Sequence, residues 1–436
     1  MTSLKMIRSI MGGATAVALS TLLSGCSGLL DVSDPQQYTS SDLDAALPAV
    51  ANGVEGATHE VVDSYVIYQA LLGDEYQHTG TWSGYDETDH GRFQYGTSAM
   101  DGTHNAWLRA QWFAVDAEER FKRVLGDAEA ASSELTAQVR LAGAFADLYM
   151  GMAFCEGPAA PSGAAVTDMQ LVQQAVTKFT DAIQTANAAG RADFAMAAQA
   201  GRAQAQLVLG DLAAAASDAA AIPDGFSYDA VFNVQNTNSV VQLTTKTYNE
   251  AAGLMYVWWP QMDLSTSSGF MRDPWTDVPD PRIPVFFDGE VATDNETPHY
   301  SQWKYNQQTD DIPMVHSDLM RLIEAENLAA QSDFPGAMLI LNTLRANVGL
   351  AALPAPADAA EMQQYLLSER FAELFMEGQR MVDLHRFDMV DDVFGPLADS
   401  ERPAAGRPTK FSMTQDEAVV NANIQNDLTS RCLPKA

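Results

Sequence analysis

Apolar positions recur at alternating steps of three and four along much of the chain, which is the spacing of one face of an α-helix. Apolar positions with this spacing predict helices at about residues 133–155, from near Asp168, and at about residues 193–209. The pattern therefore predicts a mostly α-helical chain. The clearest series begins near Asn105 and consists of Trp107, Ala110, Ala114, Ala117, Phe121 and Val124, with Trp112 predicted on the same buried side.

Short turns join some of these helices into pairs. Gly210 and Asp211 lead into an Ala-rich helix that ends before Pro223, and Ser332 and Asp333 precede another apolar stripe. A helix, a tight turn and a second helix, with small residues at the crossing, is tetratricopeptide-style packing. No period of about 34 residues links the copies, so the sequence predicts tetratricopeptide-like helix pairs and not a regular array.

Two stretches lack a lasting helical period. Residues 73–98 are polar and rich in glycine and aromatic side chains, and they are predicted to be a long loop. Residues from about 226 to 310 contain four tryptophans and many prolines, and they are predicted to be an irregular, loop-rich insertion, with or without short strands. Long loops on a rigid scaffold are common places for binding, so both stretches are candidates.

The N-terminus has the pattern of an export signal. Lys5 and Arg8 precede an apolar run at residues 10–23, which is shorter than the roughly 20 residues that span a bilayer. The run ends in Leu23-Ser24-Gly25-Cys26, which resembles the bacterial lipobox. That resemblance implies cleavage after residue 25 and lipidation of Cys26. The alternative is a plain secretory signal whose cysteine is incidental.

The predicted organisation is a signal peptide at 1–25, a lipidated tether at 26–38 and a single helical domain at 39–436. Ser27, and not an acidic residue, follows the cysteine, which in the commonest sorting scheme favours the outer membrane. Each buried CH₂ of an acyl chain contributes about 0.8 kcal/mol, so several chains on one cysteine anchor firmly. We therefore expect a protein that is anchored to the membrane and not threaded through it.

The net charge limits which ligands the protein can bind, and the cysteine content allows at most one disulfide after lipidation. The formal charge is −32, and removal of Lys5 and Arg8 with the signal changes it to −34. So acidic a surface repels nucleic acid and anionic lipid, and it favours neutral or cationic ligands or simply solubility. After Cys26, only Cys155 and Cys432 remain. An exported pair can form a disulfide, but the sequence leaves open whether the two come within bonding distance.

The C-terminal third carries a series of motifs. Asp-Ile-Pro at 311–313 is followed by ERFAELFMEG at 369–378 and DLHRF at 383–387. With CSGLLDVSDP after the lipobox and GRAQAQLVLGDLAAAASDA at 201–219, these motifs resemble the SusD/RagB family of outer-membrane nutrient-binding lipoproteins. The resemblance covers nearly the whole chain, and the insertion matches least. His316 departs from it, because the family often has arginine there.

The resemblance implies a fold, a partner and a role. The fold is a mostly α-helical, SusD-like one, with tetratricopeptide-like helix pairs supporting the loop-rich insertion. The partner is a SusC-like TonB-dependent β-barrel transporter of the outer membrane. The role is to catch glycans or other nutrients at the cell surface and to pass them to the barrel.

Catalytic and metal-binding patterns are weak. Glu369, Glu373 and Glu377 recur at steps of four and are predicted on one helical face, where three carboxylates can bind a cation or transfer protons. A solvated or Arg-paired face is the better interpretation, because Arg370 and Arg380 are close. The histidines show no metal-ligand spacing, and DETDH at 86–90 is interpreted as a wet surface loop and not a Ca²⁺ site. We expect no catalytic residue, metal or cofactor.

Aromatic residues in the two irregular stretches are the better candidates. Sugars present apolar C–H faces on which rings stack, while nearby polar groups bind the hydroxyls. The alternative is that each ring anchors its loop to the core. The predicted ligand-binding residues are Trp82, Tyr85 and Asp86 in the first stretch, and Arg272, Trp275 and Asp277 in the second.

The leading hypothesis is a nutrient-binding lipoprotein, with an oligosaccharide as ligand, that is not an enzyme. One rival is a helical scaffold that binds only protein, against which an exposed Trp82 or Trp275 would count. Another is a glycan-cleaving enzyme, which needs two carboxylates about 5–9.5 Å apart across the substrate. No such pair stands out in the sequence.

Overall fold

The computed structural model describes residues 38–93, 100–244, 272–293, 295, 298–397 and 406–425. Cys26, Cys432 and the adjacent Trp258 and Trp259 lie outside these ranges. The chain divides into two units, residues 1–47 and 48–436. In the first unit, helix α1 (Ser40–Asp44) has a capping box, in which Thr39 and Asp42 each bind the other's backbone N–H.

The remaining helices are α2 (Leu47–His59), α3 (Val62–Leu72), α4 (Ser83–Asp89), α5 (Asp101–Leu125), α6 (Asp127–Ala130), α7 (Glu134–Ala153), α8 (Asp168–Ala188), α9 (Ala192–Val208), α10 (Leu212–Ala219), α11 (Ser317–Ala330), α12 (Phe334–Asn347), α13 (Ala359–Glu373), α14 (Arg380–Arg386), α15 (Val390–Leu397) and α16 (Gln415–Val420). The strands are β1 (Glu156–Pro158), β2 (Ala165–Thr167), β3 (Ser227–Ala230), β4 (Val285–Val291), β5 (Pro298–Gln302) and β6 (Ile312–His316). In the part of the chain just defined, no helix combines the length and apolarity needed to cross a membrane.

Successive helices pack side by side. Helix α7 contacts α5, α8 and α9, and the series continues through α10 and α11 to α12. Two glycines permit close approach: a Cβ on Gly151 would lie 2.6 Å from Val172, and one on Gly201 would lie 2.5 Å from the Phe179 ring. The small residues predicted at the helix crossings therefore bring the backbones together.

Both predicted interhelical turns are present. Gly210 has a φ of 81°, and the carboxylate of Asp211 then accepts the Ala214 N–H to cap α10. Ser332 likewise has a positive φ, and Asp333 caps α12 through the Gly336 N–H. A left-handed residue followed by an aspartate N-cap reverses the chain within two residues. The predicted mostly α-helical fold with tetratricopeptide-like helix pairs is confirmed.

Short antiparallel pairs occupy the described parts of the insertion. Strand β3 pairs with β6, with Tyr228 opposite Val315, and β4 pairs with β5, with Phe287 opposite Tyr300. A third pair, β1 with β2, follows α7. The β3–β6 pairing ties the beginning of the insertion to the strand that leads into α11.

One prediction about the core was wrong. Trp107 is fully buried and stacks on Tyr149, with ring centroids 5.2 Å apart, but Trp112 is 50% exposed. At about 100° per residue, Trp112 lies some 140° around the helix from Trp107. Val124, also predicted in the stripe, is exposed near the end of α5.

Buried ion pairs join the insertion to the C-terminal helices. Arg345 on α12 is fully buried and donates to Asp273 in the insertion (2.8 Å) and to Glu369 on α13 (2.5 Å). Arg282 binds Glu369 from the other side (2.7 Å) and also binds Asp280 (2.7 Å). Buried charges are tolerated only when they are paired. These contacts therefore require the insertion loop that carries Asp273, helix α12 and helix α13 to assemble together.

Further pairs connect more distant elements. Arg380 on α14 donates hydrogen bonds to both carboxylate oxygens of Asp74, at 2.6 and 2.9 Å. Asp74 follows α3. Arg370 binds Asp383 at 2.8 Å. The Arg-paired interpretation of this segment is thus supported, but α13 ends at Glu373, so the prediction that Glu377 continues the helical face was wrong. Positive φ angles at Met376 and Gly378 turn the chain there.

We predict that Arg345→Leu destabilises the fold by about 3–5 kcal/mol, because Asp273 and Glu369 would each lose a buried cationic partner. Urea unfolding at pH 7 measures the change. The matched control is Arg109→Leu, whose pair with Glu60 is solvent-exposed at 3.4 Å and is worth about 0–1 kcal/mol. Equal effects of the two substitutions would contradict the prediction.

Candidate functional site

The first predicted binding stretch is not a continuous loop. Residues Ser83–Asp89 form helix α4, which begins directly after Trp82. The Trp82 carbonyl accepts the N–H groups of Tyr85 and Asp86, at 3.1 and 3.0 Å. The prediction of an uninterrupted loop was therefore wrong here, because a helix of about two turns needs no extended apolar stripe to form.

Helix α4 presents two stacked aromatic rings, which we call the aromatic platform. Trp82 is 63% exposed, and its ring stacks on Tyr85 with centroids 5.9 Å apart and planes at 23°. Tyr85 in turn meets Tyr68 of α3 edge-to-face at 5.3 Å. The outer ring of the platform therefore faces solvent while the inner ring rests on the core.

The support beneath the platform is continuous. Tyr68 contacts Phe411 edge-to-face at 6.1 Å, and burial raises the pKa of Tyr68 to about 12, with a further contribution from Glu87. Phe411 is fixed by its backbone, since its N–H donates to Ala153 (3.0 Å) and its carbonyl accepts from Cys155 (2.9 Å). The platform is thus mounted on the end of α7 through a chain of rings.

A charged pair lies beside the aromatic platform. Asp86 accepts from Arg92 at 2.6 Å and faces the His90 ring at 3.1 Å, and both Asp86 and Arg92 are partly exposed. Gly91, between them, has a φ of 62° and approaches the Arg407 side chain so closely that a Cβ would lie 2.6 Å away. An acceptor carboxylate and a donor guanidinium are therefore held next to an exposed ring.

The second predicted cluster has a different setting. Trp275 is half-buried, lies edge-to-face on Tyr365 at 4.7 Å and packs against the hydrophobic core. Arg272 binds Asp277 at 2.6 Å across the same loop, and Asp273 is held by Arg345. Trp275 therefore anchors its loop, while Arg272 and Asp277 close that loop at the surface.

Sequence analysis did not single out two further exposed candidates, Arg92 and Trp303. Arg92 was not predicted, although Asp86 and a base six residues later flank a glycine in a polar stretch. Trp303, at the end of β5, is also about half exposed and meets Phe286 edge-to-face at 6.1 Å. Its exposure follows from strand pairing, which no single-sequence pattern in an irregular region reveals.

His316, which stands where the SusD/RagB family often has arginine, makes a charged contact in the structure. His316 lies 2.9 Å from Glu377, whose other oxygen accepts from Lys304 at 2.7 Å. Burial alone would lower the pKa of His316, but the Glu377 carboxylate outweighs it and the net shift is upward. Burial would raise the pKa of Glu377, and Lys304 and His316 together lower it to about 2. The histidine is thus a hydrogen-bond partner of Glu377, and the carboxylate favours its protonated form.

Cys155 follows α7 and is disulfide-bonded. Both other cysteines, Cys26 and Cys432, lie outside the described residues. The pairing of Cys155 with Cys432 therefore remains a prediction.

Comparison with known proteins places the fold. The SusD family model matches residues 299–431, the segment that contains β6, helices α11 to α16 and one side of each buried ion pair between Arg345, Glu369 or Arg380 and the rest of the chain. A SusD superfamily protein from Bacteroides thetaiotaomicron VPI-5482 matches with a TM-score of 0.64 and 17% identity, over 89% of this chain and 98% of the other. The fold of the chain is SusD-like. No curated protein matches its sequence.

Two further SusD-like structures have names that state a ligand. A SusD-like carbohydrate-binding protein from Bacteroides fragilis NCTC 9343 matches with a TM-score of 0.60 and 14% identity, over 75% of this chain and 81% of the other. Surface glycan-binding protein A from Bacteroides uniformis matches with a TM-score of 0.60 and 14% identity, over 86% and 97%. The predicted resemblance to the SusD/RagB family is confirmed at residues 299–431 by the family model, and the structural matches confirm a SusD-like fold.

We predict that Glu75→Gln makes the protein more stable at pH 8 than the wild type, by up to about 3 kcal/mol. Burial raises the pKa of Glu75 from 4.5 to about 7, although the Met376 N–H donates to it. Between these values the folded state binds a proton that the unfolded chain has released, so stability falls as the pH rises. The amide that replaces the carboxyl group in the variant cannot ionise, so the stability of the variant does not fall in this way as the pH rises.

Urea unfolding of both proteins at pH 5 and pH 8 tests this. At pH 5 the two should differ by less than about 1 kcal/mol, since Glu75 is protonated there in the folded state. Glu60→Gln, at an exposed position, is the control. A variant that is equally destabilised at both pH values would contradict the prediction.

Proposed function

We propose that this SusD-like chain is a surface-anchored lipoprotein that binds an oligosaccharide and delivers it to a SusC-like, TonB-dependent outer-membrane transporter. The observation that carries the proposal is the aromatic platform, in which Trp82 is exposed, backed by Tyr85 and flanked by Asp86 and Arg92. An exposed indole on a rigid base offers a flat apolar surface that a ligand can cover.

Capture would be non-covalent. The Trp82 face offers a stacking surface for the C–H face of a sugar ring, and the Asp86–Arg92 pair offers an acceptor and a set of donors for hydroxyl groups. Because the pair is solvent-exposed, its own bond is worth little, and its atoms can exchange water for sugar hydroxyls at low cost. Modest affinity suits delivery, since release must follow capture.

The names of similar structures support a carbohydrate ligand. Two of them are described as a carbohydrate-binding protein and a surface glycan-binding protein, at 14% identity each. The exposed ring also favours ligand capture over a scaffold that binds only protein. Of the three glutamates that suggested catalysis, Glu369 is buried and bound to arginines, Glu377 is buried and bound to Lys304 and His316, and Glu373 is partly buried and lies 3.2 Å from Arg282.

We predict that Trp82→Ala lowers the affinity for a bound oligosaccharide at least about tenfold, a loss of about 1.4 kcal/mol, because the stacking surface is removed. Calorimetry with the full chain in mild detergent, against a panel of neutral glycans, measures it. Trp112→Ala, which removes an indole of similar exposure on α5, is the matched control and should leave binding unchanged.

Two further variants test one more predicted residue in each cluster. Asp86→Asn keeps the size of the side chain and removes its charge, and it should weaken binding of the same oligosaccharide. Trp275→Ala should lower the melting temperature, because the ring packs on Tyr365, with a smaller effect on binding. A hit that survives Trp82→Ala would refute the platform as the site. The absence of any glycan hit would favour the protein-only scaffold.

We also predict that Cys26→Ser releases the protein from the membrane fraction, because the lipobox cysteine carries the proposed anchor. Fractionation of cells that express each form, followed by pull-down from solubilised outer membranes, measures both anchoring and transporter association. Ser27→Ala, which changes the neighbouring residue and leaves the lipobox cysteine in place, is the control and should stay membrane-bound. A Cys26→Ser protein that remains in the membrane fraction would contradict the lipid anchor.

A further inference from the structure

A cavity lies between the helical repeat and the C-terminal helices. Its volume is about 210 Å³, and the residues that line it are Met152, Met169, Val208, Val382, His385, Arg386 and Lys410. They come from α7, α8, α9, α14 and the segment that follows residue 406. None of these residues belongs to the aromatic platform or to the second predicted cluster.

The cavity has a mixed chemistry. Two methionines and two valines form the apolar wall, and thioether side chains adapt their shape to a ligand. The polar lining groups are an imidazole, a guanidinium and an ammonium, so the charged groups among them are hydrogen-bond donors. Met169 and His385 are exposed at the rim, whereas Arg386 is mostly buried.

The guanidinium of Arg386 has one nitrogen that donates no hydrogen bond to any residue that the structure describes. Its two terminal nitrogens bind the two oxygens of Glu326, each at 2.7 Å, and one of them also lies 3.4 Å from Asp383. Its Nε is buried without a hydrogen-bond partner among the described residues. A buried N–H that lacks an acceptor is unfavourable, and a shift of the Arg386 side chain would let an acceptor atom in the cavity reach it.

Lys410 supplies a second donor. Its ammonium binds Asp168 at 2.6 Å and lies 3.5 Å from the Gly151 carbonyl, which leaves capacity for a third acceptor. Because Glu326 and Asp168 already balance the two cations, direct hydrogen bonding and not net charge would select the ligand. A bond from a cationic donor to a carboxylate is about twice as strong as one between neutral groups.

We propose that this cavity is a binding site for a small amphipathic carboxylate, with its carboxylate toward Arg386 and Lys410 and its apolar part against the methionines and valines. A cavity of about 150 Å³ holds benzene, so the space here suits a six-membered ring with one carboxylate. The site is separate from the proposed glycan platform and does not depend on it.

The test is a saturation-transfer NMR titration of the full chain in detergent with benzoate at pH 7.5, with detergent alone as blank. We expect saturable binding with a dissociation constant on the order of 1 mM. Benzamide, the neutral analogue, should bind at least about tenfold more weakly. Equal binding of benzamide, or no saturable binding of benzoate, would overturn the proposal.

Variants locate the site. Val208→Phe fills the cavity and should abolish binding; Met169→Trp blocks the exposed rim and should do the same without disturbing helix packing. Lys410→Met should weaken binding at least about fivefold, whereas Lys122→Met, at an exposed position on α5, should not. Melting temperatures show that each variant is folded. Unchanged benzoate binding in the folded Met169→Trp protein would overturn the proposal.

Trp82→Ala separates this site from the proposed function. Benzoate binding should be unchanged in that variant, so failure of glycan capture and failure of the cavity site give different results. Loss of benzoate binding in Trp82→Ala would place the probe on the platform and would overturn the cavity proposal.

Discussion

The fold depends on a cation in its interior. Arg345 has no exposed side-chain surface, and a guanidinium in that position is tolerable only while Asp273 and Glu369 are both in place. Those partners lie on an insertion loop and on α13, far from Arg345 and from each other in sequence. The three segments must therefore assemble in one register, and the same pairing that satisfies the charge positions the loop that carries Trp275.

The two predicted aromatic clusters differ because of what lies under them. Trp82 rests on Tyr85, which rests on Tyr68, so the outermost ring is left facing solvent. Trp275 is drawn onto Tyr365 as its loop is pulled inward by Asp273. Both rings sit in polar, glycine- or proline-rich sequence, and local composition does not distinguish them. The difference lies in whether a buried anion is next to the ring.

The sequence analysis was strongest where structure is local. Helix α8 begins at Asp168 as predicted, and the Gly210-Asp211 and Ser332-Asp333 turns form because their conformations depend on adjacent residues alone. It was weakest where a single helix meets different surroundings. Trp112 shares a helix with Trp107 but lies outside the face that α7 covers, and α4 was hidden within a polar stretch that lacks a long apolar stripe.

Periodicity, turn residues and the motifs of the C-terminal third were enough to determine helical class, helix pairing and family resemblance, because each rests on short-range spacing. The lipobox also rests on four adjacent residues, and it stays a prediction. Only the tertiary structure decided which rings stay exposed, that Arg92 joins Asp86 beside Trp82, that His316 pairs with Glu377, and that five separate segments enclose a cavity. Those outcomes depend on contacts that reach beyond the local spacing of the chain, and side-chain burial is a property of such contacts and not of the residues alone.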